Sequence, residues 1–190
     1  MLISMAIGFF TSRILLNQLG VIDFGVYNVV GSIIVLLGFL NSTLSLSTQR
    51  FINFELGNSN HQNLQKVYST SVVIHCVLAL LVFVLAETIG LWFLNNQMNI
   101  PKDRVVAANY VYQFSIFSAM LSFTMIPQTA TMIAHEHMSQ YATIGIIDVI
   151  LRFSVACVLY FIQVDKLIIY ALFMFLVCLL YTSDAADDKA

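Results

Sequence analysis

Long apolar runs separated by short polar breaks organise this chain. A membrane-spanning helix needs about 20 mostly apolar residues. Residues 1–19 form the first such run, and the chain opens directly inside it. GVIDFG, with Gly20 and Gly25 as breakers, predicts a tight connection to a second helix over 26–47. Gly31, Gly38 and several Ser and Thr residues on that second helix allow close helix packing. The stretch QRFINFELGNSNHQNLQKVYS, residues 49–69, is polar, and GNSNHQN within it predicts a turn between two short amphipathic pieces at a membrane surface. A third helix is expected over 70–94, followed by the loop NNQMNIPKDR, and a fourth over 105–132, interrupted by Pro127. AHEHMSQ is the next polar turn. A fifth helix over 141–162, the turn QVDK and a sixth helix over 167–177 complete the pattern. The pattern predicts an all-α fold: a polytopic transmembrane helical bundle of about six helices.

Composition strengthens that expectation. The chain has 190 residues, 59% of them hydrophobic and 9% charged, with a mean hydropathy of +0.88. Soluble domains carry about 25% charged residues, so a soluble core could not hide this much apolar surface. A formal charge of −2 argues against a nucleic-acid partner. Three cysteines, without metal-ligand spacing, indicate neither a disulfide framework nor a metal site, and no cofactor motif appears. Lys and Arg do not decide the orientation. Arg50 and Lys66 fall on one side, and Lys102, Arg104 and Lys166 on the other.

The last thirteen residues, CLLYTSDAADDKA, break the style of the rest, with three aspartates and a lysine in the final seven. They resemble a translated sequencing adapter, so the expected division is a transmembrane unit over 1–177 and a non-native tail over 178–190. A short acidic cytosolic tail is the alternative.

Charges inside apolar helices are costly, near +2.5 to +3.5 kcal/mol at a helix centre on insertion scales, and they turn towards protein or water. Five ionisable candidates follow. Asp148 and Arg152 are four residues apart on the fifth helix, hence on one face. They read either as the charged lining of a pathway or as a local ion pair. Arg13 has no acid at i±3 or i±4. Its guanidinium can chelate a phosphate, snorkel to the interface, or pair with a distant acid such as Asp148. Glu87 lies late in the third helix near Trp92, an interfacial residue type. His75, near the other end of that helix, is a titratable candidate or a hydrogen-bonded core histidine. Pro127 is a candidate hinge or a static kink. No catalytic constellation is visible, so an enzyme is not expected.

The stretch TSRILLNQLGVIDFGVYNVVGSIIVLLGFLN resembles the opening of bacterial polysaccharide flippases, in which a first-helix arginine precedes LG-x-x-x-[FY]-G-[IV]-Y. These belong to the multidrug/oligosaccharidyl-lipid/polysaccharide exporter superfamily. The likeness continues through STQRFINFELGN, AETIGLWFLNNQMNIP, ANYVYQFSI and IAHEHMSQYATI, over residues 1–177. The resemblance implies two bundles of six helices around a central cavity that opens alternately to each side of the bacterial cytoplasmic membrane. This chain would be the first lobe, clipped at both ends and lacking its C-terminal partner lobe. The implied substrate is an oligosaccharide on an undecaprenyl diphosphate carrier, with a proton or sodium as the coupling ion and Glu87, Asp148 and His75 as the candidates to bind it. Arg13 matches the cavity arginine; Arg152 matches by helix only. The implied topology places Arg50, Lys66 and AHEHMSQ in the cytoplasm. A multidrug cation antiporter of the same superfamily would favour carboxylates over arginines in this lobe. An envelope-assembly enzyme such as a polysaccharide polymerase would need a large loop with catalytic residues.

Overall fold

The computed structural model describes residues 2–58, 61–98, 100–136, 138–162 and 164–187. Every regular element among them is helical: α1 (Leu2–Gly57), α2 (His61–Leu85), a π-turn (Ala86–Gly90), α3 (Leu91–Asn96), a 3-10 turn (Lys102–Arg104), α4 (Val105–Ala134), α5 (Met138–Val158) and α6 (Lys166–Asp187). Four stretches are long and apolar enough to cross a membrane: Met5–Ser32, Gln62–Asn96, Lys102–Ala134 and Met138–Val158. Lys166–Leu180 is apolar but shorter. The fold is thus an all-helical bundle with four membrane-capable helices.

The first two expected helices join at a single residue. Gly20 leaves the helix with φ 79° and ψ 169°, a conformation that an L side chain resists and glycine adopts freely. Gly25, the other expected breaker, is helical. The break lets Ile14, Leu15 and Leu19 share a cluster with Phe24, Tyr27, Ala156, Leu159 and Tyr170. In a straight helix Ile14 and Tyr27 would stand about 20 Å apart at 1.5 Å per residue.

The polar stretch 49–69 also differs from the expectation. Instead of two separate surface pieces, it continues α1 to Gly57 and starts α2 at His61. α1 stops at Gly57 and Asn58, residue types that end helices.

α4 is the central strut, packing on α1, α2 and α6. Ala107, Ala108, Val111, Tyr112 and Ile116 of α4 meet Val26 and Val30 of α1, Leu94 of α3, and Leu167 and Ala171 of α6. Further along, Phe123 and Ile126 meet Ala79 and Val82 of α2, with Leu44 of α1 against them. The later part of α1 therefore runs in the same direction as α4. Pro127 is buried in α4, which continues through it. Outward faces are apolar: Val73, Val77, Leu80, Leu81 and Val84 of α2 are all exposed. That is the arrangement lipid rewards, since a bilayer takes over the solvation of the outer face.

Candidate functional site: a serine-lined groove with one arginine

α4 carries Ser115, Ser118 and Ser122 at spacings of three and four, so all three hydroxyls fall on one stripe. α1 faces that stripe with Tyr27, Asn28 and Ser32, and α6 supplies Met174 and Cys178. Gly31 of α1 keeps the two walls free of a side chain at that level. Together with Arg152 of α5 they enclose an open groove of about 590 Å³.

Two of the hydroxyls, those of Ser122 and Ser32, and the Asn28 amide donate to their own helix backbone. Ser122 Oγ donates to the Ser118 carbonyl at 3.0 Å. Ser32 Oγ donates to Val29 at 2.6 Å, and Asn28 Nδ2 donates to Phe24 at 2.8 Å. Cys178 Sγ reaches the Ser118 carbonyl at 3.6 Å. A hydroxyl that donates in this way keeps its acceptor lone pairs.

Arg152 supplies the charge. Its Nε donates to Asp148 Oδ2 at 2.8 Å, with the arginine side chain 47% exposed and the aspartate 22%. The i,i+4 spacing read from the sequence is therefore a formed pair. Because the pair uses Nε, both terminal nitrogens carry no hydrogen bond to the described residues. They are free to take a bidentate anion.

The other sequence candidates lie apart from this groove. Arg13 is exposed on the first part of α1, with no ion-pair partner among the described residues, and does not line the groove. It does not meet Asp148, whose partner is Arg152. His75 is buried in α2, with Nδ1–H donating to the Ser71 carbonyl at 2.7 Å and Nε2 left without a partner. Glu87 sits in the π-turn, where Oε2 accepts from Gln113 Nε2 at 3.2 Å. The π-turn is held open by Tyr112, whose hydroxyl donates to the Ala86 carbonyl at 2.9 Å. A Cβ at Gly90 would fall on that hydroxyl, so this position needs glycine. Gln128, next to Pro127, has its side-chain oxygen buried without a partner.

A second polar cluster went unseen in the sequence. Arg104 lies between Asp23 and Asp165: Nε is 3.1 Å from Asp23 Oδ1, and Nη1 donates to both oxygens of Asp165 at 3.3 Å. The Asp23 contact is close enough for an ion pair but is not aligned as a hydrogen bond. Lys166 Nζ donates to Gln18 Oε1 at 3.0 Å beside it. These side chains tie α1 on both sides of the Gly20 break to the 3-10 turn and to the turn before α6. No group of three or more metal-ligating side chains occurs among the described residues. No known family, curated protein or solved structure matches this chain.

Proposed function

We propose that this chain is the first lobe of an exporter that carries lipid-linked oligosaccharide across the bacterial cytoplasmic membrane by alternating access. The observation that supports it is Arg152: a guanidinium in an apolar helix, held by Nε, with free terminal nitrogens in a serine-lined groove. A diphosphate head cannot enter hydrocarbon unaided, because unpaired charge there is very costly. An arginine fork replaces its lost hydration with two parallel charge-assisted hydrogen bonds. The hydroxyls and amide of the groove wall suit the first sugar, while a prenyl tail stays in lipid. The sequence likeness of residues 1–177 to polysaccharide flippases points to the same substrate. Arg13, exposed on the outer face of α1, is then a second cation for the headgroup, offered towards the partner lobe that the likeness implies. Asp148 acts on substrate through Arg152, and Pro127 is the flexing point of α4. The role is transport, not catalysis.

The test is surface polysaccharide in a flippase-null strain carrying the full-length gene. Arg152→Ala is expected to abolish export at normal protein level, and Arg13→Ala to reduce it. Undiminished export by Arg152→Ala would sink the reading. A multidrug antiporter is the alternative; export of lipophilic cations by the wild type, unaffected by Arg152→Ala, would favour it.

A further inference from the structure

At one end of the bundle, Gln18, Asp23, Arg104, Val164, Asp165 and Lys166 line a second open cleft, of about 410 Å³. It shares no lining residue with the serine-lined groove. Its charges do not cancel locally. Two carboxylates, Asp23 and Asp165, share the single guanidinium of Arg104, so that part of the cleft keeps one negative charge. Asp23 Oδ1 is shut off from solvent and accepts no hydrogen bond. Lys166 holds one positive charge apart from them. Its Nζ donates to the neutral amide of Gln18 at 3.0 Å, and no acid lies within ion-pair distance of it among the described residues. Asp165 is its neighbour in sequence, yet is engaged by Arg104. Lys102 and Asp103 of the 3-10 turn are exposed and opposite in sign, which leaves the balance unchanged. The cleft is neutral as a whole and dipolar within.

Its depth in the bundle matters as much as its charge. The apolar stretch Lys102–Ala134 begins here, Met138–Val158 ends close by, and α6 starts at Lys166. Apolar helices that end together mark the level of lipid headgroups. The exposed side chains beside the cleft residues in the chain are apolar or amphipathic: Val21 and Ile22 before Asp23, and Tyr160 and Phe161 before Val164. Tyrosine is enriched at this level of a membrane. A lipid headgroup there meets the cleft while its acyl chains stay in the bilayer.

A purely anionic headgroup is opposed by the carboxylates, and a lone cation leaves Lys166 unmatched. A zwitterion answers both. Lysine serves phosphate as a point charge, and an ammonium with N–H groups gives carboxylates charge-assisted hydrogen bonds. A trimethylammonium has no N–H to give. We propose that this cleft binds a zwitterionic membrane lipid with a primary ammonium, of the phosphatidylethanolamine type. The phosphate sits on Lys166 and the ammonium on the side of Asp23 and Asp165. The site does not rest on the lipid-export reading.

The test titrates phospholipids of identical acyl chains into the purified protein in detergent and reads the thermal unfolding midpoint. A ligand that binds only the folded state raises that midpoint with the logarithm of its concentration. Phosphatidylethanolamine is expected to half-saturate at a several-fold lower concentration than phosphatidylcholine or phosphatidylglycerol. Equal values for the ethanolamine and choline lipids would overturn the ammonium contact. Tightest binding of phosphatidylglycerol to the wild type would make Lys166 a plain anion site and overturn the proposal too. Water-soluble phosphoethanolamine is expected to leave the midpoint unmoved at the same concentrations. A rise equal to that with the lipid would make the free headgroup the ligand and overturn the membrane source. Asp165→Asn leaves Asp23 and Arg104 as a neutral pair with Lys166 as the net charge, so preference is expected to pass to phosphatidylglycerol. An unchanged order of lipids overturns the charge assignment. If Asp165→Asn fails to fold, Lys166→Gln takes its place. It must raise the half-saturating concentration of phosphatidylethanolamine several-fold, and an unshifted value overturns the site. No export is measured, so this site and the export reading can fail separately.

Discussion

Two arginines sit in polar clusters of this bundle, and they are used in opposite ways. Arg104 is enclosed by acids from two other elements, one of them 61 residues away along the chain. Arg152 has a single acid, one helical turn back on its own helix. The first guanidinium gives its charge to the fold, tying α1 and the turn before α6 to the 3-10 turn. The second keeps two nitrogens open towards a groove. The same pair of residue types is a closed clamp in one place and an open pair in the other. What differs is how many of the guanidinium's donors the protein itself consumes.

The clamp carries the largest expected effect. Arg104→Ala strands Asp23, which is buried. Removing one partner of a buried pair costs about 3–5 kcal/mol. With Arg104 34% and Asp165 37% exposed, about 2–3 kcal/mol is the appropriate expectation. Thermal unfolding in detergent measures it. A change below about 0.5 kcal/mol, the scale of a surface pair, would erase the distinction between closed clamp and open pair.

Next in size is the π-turn that carries Glu87. Gly90→Ala drives a methyl into the Tyr112 hydroxyl, and overpacking of this kind costs about 1–3 kcal/mol. Tyr112→Phe removes the nearer obstacle, leaving ring Cζ 3.0 Å from the methyl, together with the hydrogen bond to Ala86, a loss of about 1 kcal/mol. Contacting residues do not add, so the double variant is expected to be more stable than the sum of the singles. Strict additivity, measured by the same unfolding curves, would show that Tyr112 does not hold the turn.

The open pair was legible in the sequence and the clamp was not. Asp148 and Arg152 obey the i,i+4 rule, so the sequence alone places them on one face. Ser115, Ser118 and Ser122 follow the same periodicity, so their stripe too is legible in the sequence. No local rule links Asp23, Arg104 and Asp165, because their meeting depends on how α1 just after the Gly20 break, the 3-10 turn and the turn before α6 gather at one end of the bundle. Helix existence was legible from apolar runs. The ends were not: residues 49–69 are polar, and composition marked them as surface pieces although α1 runs to Gly57 and α2 starts at His61. The π-turn left only Gly90 as a trace. One extra residue in a helix turns the face that follows, and no hydropathy pattern reports it.

The smallest stability effect is the one that best separates the two arginines. Asp148→Asn removes the charge that holds Arg152 by Nε but leaves a group of the same shape. Exposed i,i+4 helix pairs contribute about 0.3–0.5 kcal/mol, and with Arg152 47% exposed the unfolding midpoint is expected to move little. The functional change should be larger. Without its carboxylate, Arg152 loses the contact that fixes its plane, and a fork binds two phosphate oxygens only in one plane. Affinity of the purified protein for an undecaprenyl diphosphate lipid is therefore expected to fall several-fold, by equilibrium binding in nanodiscs. Arg152→Lys, which keeps the charge and loses the fork, should fall by a comparable factor. If Asp148→Asn instead costs 2 kcal/mol or more and leaves affinity unchanged, the pair is a second clamp, and the groove holds no anion site.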